Sequence, residues 1–552
     1  MQSAKRIYLY GILGIALVPL LWGLSDLLRF AFDQFGGILG FSPAFMGSFA
    51  REELSRALAL VLVAGGIVVV HLALLRGLVG RSPVDAADER AATSRAVYFF
   101  AVLAGTGAAL LWSSFELVYE LIGSWLLDRR DLDPAGRLAG VIVVGGAWAL
   151  HLLARRGDIR SAPSRLAGDW LTRAYLYGAL FITWLLVTLQ SGEVLTTVAR
   201  AALGLQPLWT AADWWQEALT GAVAASLVGT LGWLTHWLIA DRLRVAPDPV
   251  GASQRNAVSR RGYFLAVTLV SACAVLVLSA TSISAAGAAL LGTWTPTEGS
   301  RLIEDVGGPL LLLLPFALGW WWHQRRVVAE AEKRGGATAA RAVTRTAHLV
   351  VAFVGLLGLA AGLAWELQVV IEGLTGATPD DLVAVSGSAG DATRALALAM
   401  VGLLLWVPAW GMAQRDRARH AREAAGAVSR RAYLMLVSGL SVVAAMGSSA
   451  FLVWQATRAL LDSGPSDDPA WAIAILTVAV VVLLYHLWQL RRDARAADVI
   501  LLRAAESGEI SQHTVETIEI IAPPDADFRV LNAAIRSELP DGYEMRIHPR
   551  SP

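Results

Sequence analysis

Thr172-Arg173-Ala174-Tyr175-Leu176-Tyr177 opens an apolar run that continues to about residue 198. A cation followed by an aromatic ring at the start of a membrane-length helix can snorkel to the headgroups while the ring lies in the interface. The signature returns as Lys5-Arg6-Ile7-Tyr8, Ser94-Arg95-Ala96-Val97-Tyr98, Arg260-Arg261-Gly262-Tyr263, Thr344-Arg345-Thr346-Ala347-His348 and Arg430-Arg431-Ala432-Tyr433. With Arg6, Arg95, Arg173, Arg261, Arg345 and Arg431 as anchors, successive copies lie 89, 78, 88, 84 and 86 residues apart. Self-similarity at a steady period marks a tandem supersecondary unit. Each unit reads as a long apolar helix, an acidic loop and a second helix. The expected hairpins occupy 1–80, 81–160, 161–247, 248–332, 333–418 and 419–492, with a polar tail at 493–552.

Outward from this motif, the whole chain has the composition of a lipid-solvated protein. It has 552 residues, 56% hydrophobic and 16% charged, with a mean hydropathy of +0.54. A soluble globular chain carries about 25% charged residues. Apolar runs of about 20 residues, the length that spans a bilayer, lie near 7–28, 56–75, 97–122, 138–154, 174–198, 218–240, 263–291, 306–323, 347–371, 394–412, 432–460 and 470–489. The first run lacks a small-residue cleavage site after it and reads as a retained helix. Twelve spans place both termini on one side. The fold class expected is an all-α polytopic membrane protein of six parallel hairpins. Cys273 is the only cysteine, which excludes an intramolecular disulfide and a Cys-based zinc site; it reads as a small buried core residue.

Orientation follows from the distribution of Lys and Arg. The N-terminal tail, the even-numbered loops and the C-terminal tail hold 36 of the 46 basic residues and 22 of the 45 acidic ones. The basic side, with both termini, is expected to be cytoplasmic. A formal net charge of +1 gives no reason to expect a nucleic-acid partner.

The (S/T)-R-x-Y-L-Y helix start, the two-helix unit and the closing glycines Gly37, Gly123, Gly204, Gly292 and Gly376 together resemble the bacterial membrane family listed as domain of unknown function 5671. The resemblance covers residues 1–490 in six degenerate copies. It implies a tandem-repeat membrane fold and carries no activity, because the family has none to transfer. Repeat 5 departs from the pattern with His348 near the Tyr position.

Two layers of side chains invite a functional reading. Asp26, Glu116, Glu193 and Glu366 each follow their anchor by 20 or 21 residues. At 1.5 Å per residue that is about 30 Å, which sets them at the outer interface rather than mid-membrane. His71, His151, His236, His323 and His486 end the second helices beside tryptophans, and Trp410 takes that place in repeat 5. No second His or Glu stands at helical spacing to complete a metal site. The layer reads as interfacial anchors, which should tolerate exchange of His for Trp. The cluster Arg415, Arg417, Arg419 and Arg422 suits anionic lipid headgroups.

In the tail, Val499–Glu506 reads as helix and Thr514–Ile521 as strand. A helix follows Pro523-Pro524, and Tyr543–His548 reads as a last strand. This β-α-β tail is too small to bury a sizeable core and is expected to dock on the cytoplasmic loops, or to pair with a protein partner or a second copy. The chain holds no Gly-rich phosphate loop, nucleophile elbow, HExxH or paired-carboxylate motif. No catalytic, cofactor or metal residue is therefore assigned. Two function classes remain: a non-enzymatic scaffold or sensor, and a small-molecule or ion transporter or channel. Absence of ionisable residues from 62–68, 141–147, 310–316 and 476–482 favours the first.

The charge asymmetry makes a prediction. In intact cells, a cysteine placed near Arg419 should be shielded from a membrane-impermeant thiol reagent and one near Asp380 should be labelled. The reverse pattern would overturn the orientation.

Overall fold

Apolar periods of this length can satisfy their backbone in lipid only as helix, and every described element is an α-helix. The computed structural model describes residues 2–39, 48–79, 83–127, 133–161, 169–205, 213–247, 249–255, 257–292, 302–375, 384–420, 427–461 and 469–506. In chain order the helices are α1 (Gln2–Leu39), α2 (Ser48–Val79), α3 (Pro83–Arg90), α4 (Thr93–Leu126), α5 (Pro134–Ser161), α6 (Trp170–Ala202) and α7 (Trp214–Val245). They continue as α8 (Pro249–Arg255), α9 (Val258–Leu290), α10 (Leu302–Thr375), α11 (Ala384–Arg419), α12 (Val428–Leu460) and α13 (Ala470–Glu506).

Among the described residues, eleven helices are long and apolar enough to cross a membrane. One of these, spanning Leu302–Leu374, contains two of the twelve expected runs. Its two arms meet at Gly335-Gly336, where Gly336 has φ +64°. A side chain would oppose that left-handed conformation, so glycine permits the chain to break direction here. Large apolar side chains are exposed along the spans, Leu62 at 73% and Val443 at 67% among them. Acyl chains, not water, are the solvent that suits such faces.

Residues Met1–Arg492 form one compact unit and Asp493–Pro552 another. In the first unit, α1 packs on α2, α4 on α5, and α6 on α7. The first helix of a hairpin also packs on both helices of the next: α1 on α4 and α5, α4 on α6 and α7, α6 on α9 and α10. This nearest-neighbour stacking makes the unit a quasi-one-dimensional array of repeats. Of the second unit, residues 493–506 are described, as the end of α13; they agree with the expected helix at Val499–Glu506. The expected strands and second helix of the tail, the closing Gly376 and Arg422 of the basic cluster lie outside the described residues.

Helices approach closely where small residues face one another, the packing that lipid favours because it supplies no hydrophobic drive between helices. Ala139, Ala224, Ala352, Ala395 and Ala472 are completely buried. The tightest seam joins the second arm of α10 to α11. A Cβ on Gly402 would fall 2.2 Å from Leu359 N and 2.7 Å from Gly355 O, and one on Gly362 would fall 2.4 Å from Ala399 N. Gly229 and Gly232, three residues apart on α7, face side chains at 3.0 Å, whereas Gly146 on α5 meets nothing within 4 Å.

Three expectations change in detail. Cys273 is exposed rather than buried, because its position on α9 points away from the buried face of Ala272 and Leu276. Gly204 and Gly292 do end their helices, with φ of +62° and +69°. Gly37 and Gly123 do not: α1 runs on to Leu39 and α4 to Leu126, since each glycine is followed by residues that continue the helix.

Gly402→Ala is expected to lower the detergent melting temperature strongly, as overpacking against backbone costs about 1–3 kcal/mol or more. Gly439, with nothing within 4 Å, should accept Ala without loss. Equal melting temperatures for the two variants would contradict the seam.

Candidate functional site

The first helices of the second, fourth and sixth hairpins begin by presenting Arg and Tyr three residues apart, on one helical face, as Arg95 and Tyr98, Arg260 and Tyr263, and Arg430 and Tyr433. The second helices of the same three hairpins end with His followed seven residues later by a carboxylate, His151 and Asp158, His323 and Glu330, and His486 and Asp493, two turns on along the same face. Antiparallel packing brings these faces together as a ladder of two rungs, aromatic below and ionic above.

The aromatic rung joins Tyr98 to His151 at 2.9 Å, Tyr175 to His236 at 3.0 Å, Tyr263 to His323 at 2.6 Å and Tyr433 to His486 at 3.4 Å. In each case His Nδ1 lies 2.7–2.8 Å from the carbonyl four residues earlier, of Ala147, Gly232, Gly319 and Val482. A carbonyl only accepts, so Nδ1 carries the hydrogen and Nε2 accepts from the tyrosine hydroxyl. The hydroxyl is itself an acceptor across repeats. Trp148 Nε1–H donates to Tyr175 at 2.6 Å, Trp233 to Tyr263 at 3.3 Å and Trp406 to Tyr433 at 3.4 Å. Trp, Tyr and His thus form a relay that ties one hairpin to the next. In the first hairpin the exposed Tyr8 lies against His71 with ring centroids 5.9 Å apart.

The sequence placed these histidines in the interface as anchors. His236, His323 and His486 are instead buried, at 7%, 3% and 1% exposure, because the tyrosine hydroxyl gives the ring a partner inside the bundle. Tolerance of Trp is not expected at such a site.

The ionic rung pairs Arg95 with Asp158 through two hydrogen bonds, 2.7 and 3.0 Å. Arg260 pairs with Glu330, and Arg345 with Asp416 at 2.5 Å. The bidentate pairing of Arg95 with Asp158 is strong and geometrically selective. In the first two repeats the pairs run together. Arg6 holds Glu89 at 2.7 Å, Tyr10 donates to Glu89 at 2.8 Å, and Arg95 donates to Tyr10 at 3.0 Å. Beyond Asp158, the buried Arg155 reaches Asp169 at 2.5 Å, where the next hairpin begins.

Two of the anchors read from sequence are displaced by one residue. Arg260 and Arg430 are buried at 6% and 2%, while Arg261 and Arg431 are exposed. Only the former stand three residues before Tyr, on the face turned to the partner helix. Arg173 lies two residues before Tyr175 and donates to Ser253 at 2.5 Å. Sequence reading missed Glu89, Asp158, Glu330 and Asp416; for Asp158 and Glu330 the signal was a carboxylate two turns beyond the histidine, and for Asp416 one six residues beyond Trp410.

At the opposite helix ends, Asp26 pairs with Arg56 at 3.2 Å and Glu116 with Arg137 at 2.6 Å. Glu193 lies 3.5 Å from the hydroxyls of Thr196 and Thr197, and Glu366 has a buried carboxylate oxygen without a partner among the described residues. These four carboxylates do not meet in one place. Among the described residues no three His, Cys, Asp or Glu side chains gather as a metal site.

A family model described as "Domain of unknown function (DUF5671)" matches the chain three times, over residues 6–146, 173–318 and 345–469. Each match begins at an anchor arginine; the first two end within the second helix of the following hairpin, and the third ends between α12 and α13. No curated protein and no solved structure matches the chain significantly.

Tyr263→Phe should strand both His323 Nε2 and Trp233 Nε1–H; an unsatisfied buried polar group costs about 1–3 kcal/mol. His486→Trp should also destabilise, by overpacking. Thermal melting in detergent checks both, and wild-type stability in either variant would contradict the relay.

Proposed function

The chain belongs to the family described as Domain of unknown function (DUF5671), and on that footing we propose a non-catalytic scaffold of the bacterial cytoplasmic membrane. Both termini lie in the cytoplasm, and the helical array holds lipids and a protein partner. What supports this reading is the way polar groups are spent. Arginines, carboxylates, tyrosines and histidines near the helix ends are engaged with one another across the repeat. Hydroxyls deeper in the spans, such as Thr183, Thr188 and Thr268, donate back to carbonyls of their own helix. A transport path needs polar groups that exchange partners along its length; these have partners already.

The 36 basic residues on one side support the cytoplasmic placement and give that face an affinity for anionic headgroups. The polar tail at 493–552 is the segment through which a soluble partner, or a second copy of the chain, would be held. A transporter is the rival reading, and a direct measurement separates the two. Purified protein in sealed vesicles, loaded with a potassium- or proton-sensitive dye, should leave ion permeability at the level of protein-free vesicles. Protein-dependent flux would overturn the scaffold.

A further inference from the structure

Between repeats 4 and 5 the Trp–Tyr–His relay keeps its tryptophan but loses its tyrosine, and a cleft opens there. Trp320 stands three residues before His323, as Trp148 and Trp233 stand before His151 and His236. Its counterparts donate to a tyrosine of the next hairpin. In repeat 5 that tyrosine is His348, and the histidine it would bond is Trp410. Trp320 Nε1–H is accordingly buried without an acceptor among the described residues. Between Trp320 and His348 lies a cleft of about 480 Å³, within the size range of small-molecule sites, roughly 300–1,000 Å³. Its walls are the two arms of α10 on either side of the Gly335-Gly336 break. Each arm is pinned by its own ion pair, Arg260 to Glu330 on one side and Arg345 to Asp416 on the other.

The walls carry an ordered sequence of chemistry. Trp320 and the buried Ala347 line the end nearest the spans. Gln324 and Arg325 follow about 6–7.5 Å further along the helix, and the exposed Glu332 about 10.5 Å beyond Arg325. Arg325 lies over the Trp321 ring at 4.2 Å. Neither Arg325 nor Glu332 has an ion-pair partner among the described residues. Apolar, then cationic, then anionic is the complement of a lipid whose acyl chains, phosphate and ammonium follow one another.

We propose that this cleft is a binding site for one phospholipid with an amine headgroup, of the phosphatidylethanolamine class. Its phosphate meets Arg325 and Gln324, its ammonium meets Glu332, and its ester groups lie beside Trp320 and His348. Side chains bending toward each other close the distance to the two-carbon link between phosphate and ammonium. The other junctions that carry the tryptophan differ, because Tyr175, Tyr263 and Tyr433 accept a tryptophan N–H where repeat 5 has imidazole. The site rests on the reading of the chain as a lipid-holding membrane scaffold.

Native mass spectrometry of the full chain, delipidated in mild detergent and titrated with phosphatidylethanolamine or phosphatidylglycerol, tests it. Wild type should retain one phosphatidylethanolamine with at least tenfold preference. Arg325→Ala should lose tenfold or more of that retention. Glu332→Gln should keep lipid but lose the preference. His348→Tyr fills the cleft and supplies Trp320 with an acceptor. It should abolish retention with a melting temperature no lower than wild type, so that loss of lipid is not loss of fold. Equal retention of the two lipids by wild type, or retention unchanged in Arg325→Ala and His348→Tyr, would overturn the site. So would displacement by soluble phosphoethanolamine, which shares the headgroup but has no acyl chain. Ion flux in vesicles would remove the scaffold reading and leave this site standing; failed selectivity would do the reverse.

Discussion

Lipid gives helices no hydrophobic reason to associate, since an acyl chain solvates leucine as well as another leucine does. A bundle whose spans are this apolar must be held by close backbone contact and by polar groups that have nowhere else to go. Both devices are present and are spatially separated. Glycine and alanine seams such as Gly362 against Ala399 act within the spans. Arginine–carboxylate and tyrosine–histidine rungs act near the helix ends. An interhelical hydrogen bond in a membrane averages only about 0.6 kcal/mol, so the rungs matter by repetition and by register. A one-residue slip would put Arg261 where Arg260 belongs and turn the cation away from Glu330.

The family model sees three units where the anchors mark six, and the side chains explain why. Hairpins alternate in character. The first and third copies place tyrosines two and four residues after the anchor, Tyr8 and Tyr10 or Tyr175 and Tyr177. Even copies have one, three residues after Arg95, Arg260 or Arg430. The extra tyrosine of an odd copy packs on the tyrosine of the following even copy, Tyr10 on Tyr98 at 5.3 Å and Tyr177 on Tyr263 at 6.1 Å. Two hairpins therefore make the chemically complete unit. Breaks in an otherwise consistent pattern are where function is expected, and the exchange of Tyr for His348 and of His for Trp410 is such a break.

Much of this architecture was legible before any coordinate. Run lengths of about 20 apolar residues fixed the spans because a bilayer has a set thickness. The spacing of the anchors revealed the hairpin, and the Lys and Arg distribution separated the two faces. The histidine layer was visible as a list of positions, but its meaning was not. A histidine beside tryptophan at a helix end reads the same whether it faces headgroups or a neighbouring helix. Cys273 failed for a similar reason, since in a membrane an apolar position can equally face lipid or protein.

What the sequence determined by itself was periodicity: helix, hairpin, repeat and the two charged faces follow from rules local to a helix and its solvent. Only tertiary structure decided which of two adjacent arginines turns inward, which carboxylate answers it, and that tyrosine and histidine meet. Those choices depend on the rotation of one helix against another, set by packing between residues some 53 to 71 positions apart. Lipid surrounds the bundle on every side, so hydrophobicity carries no information about that rotation.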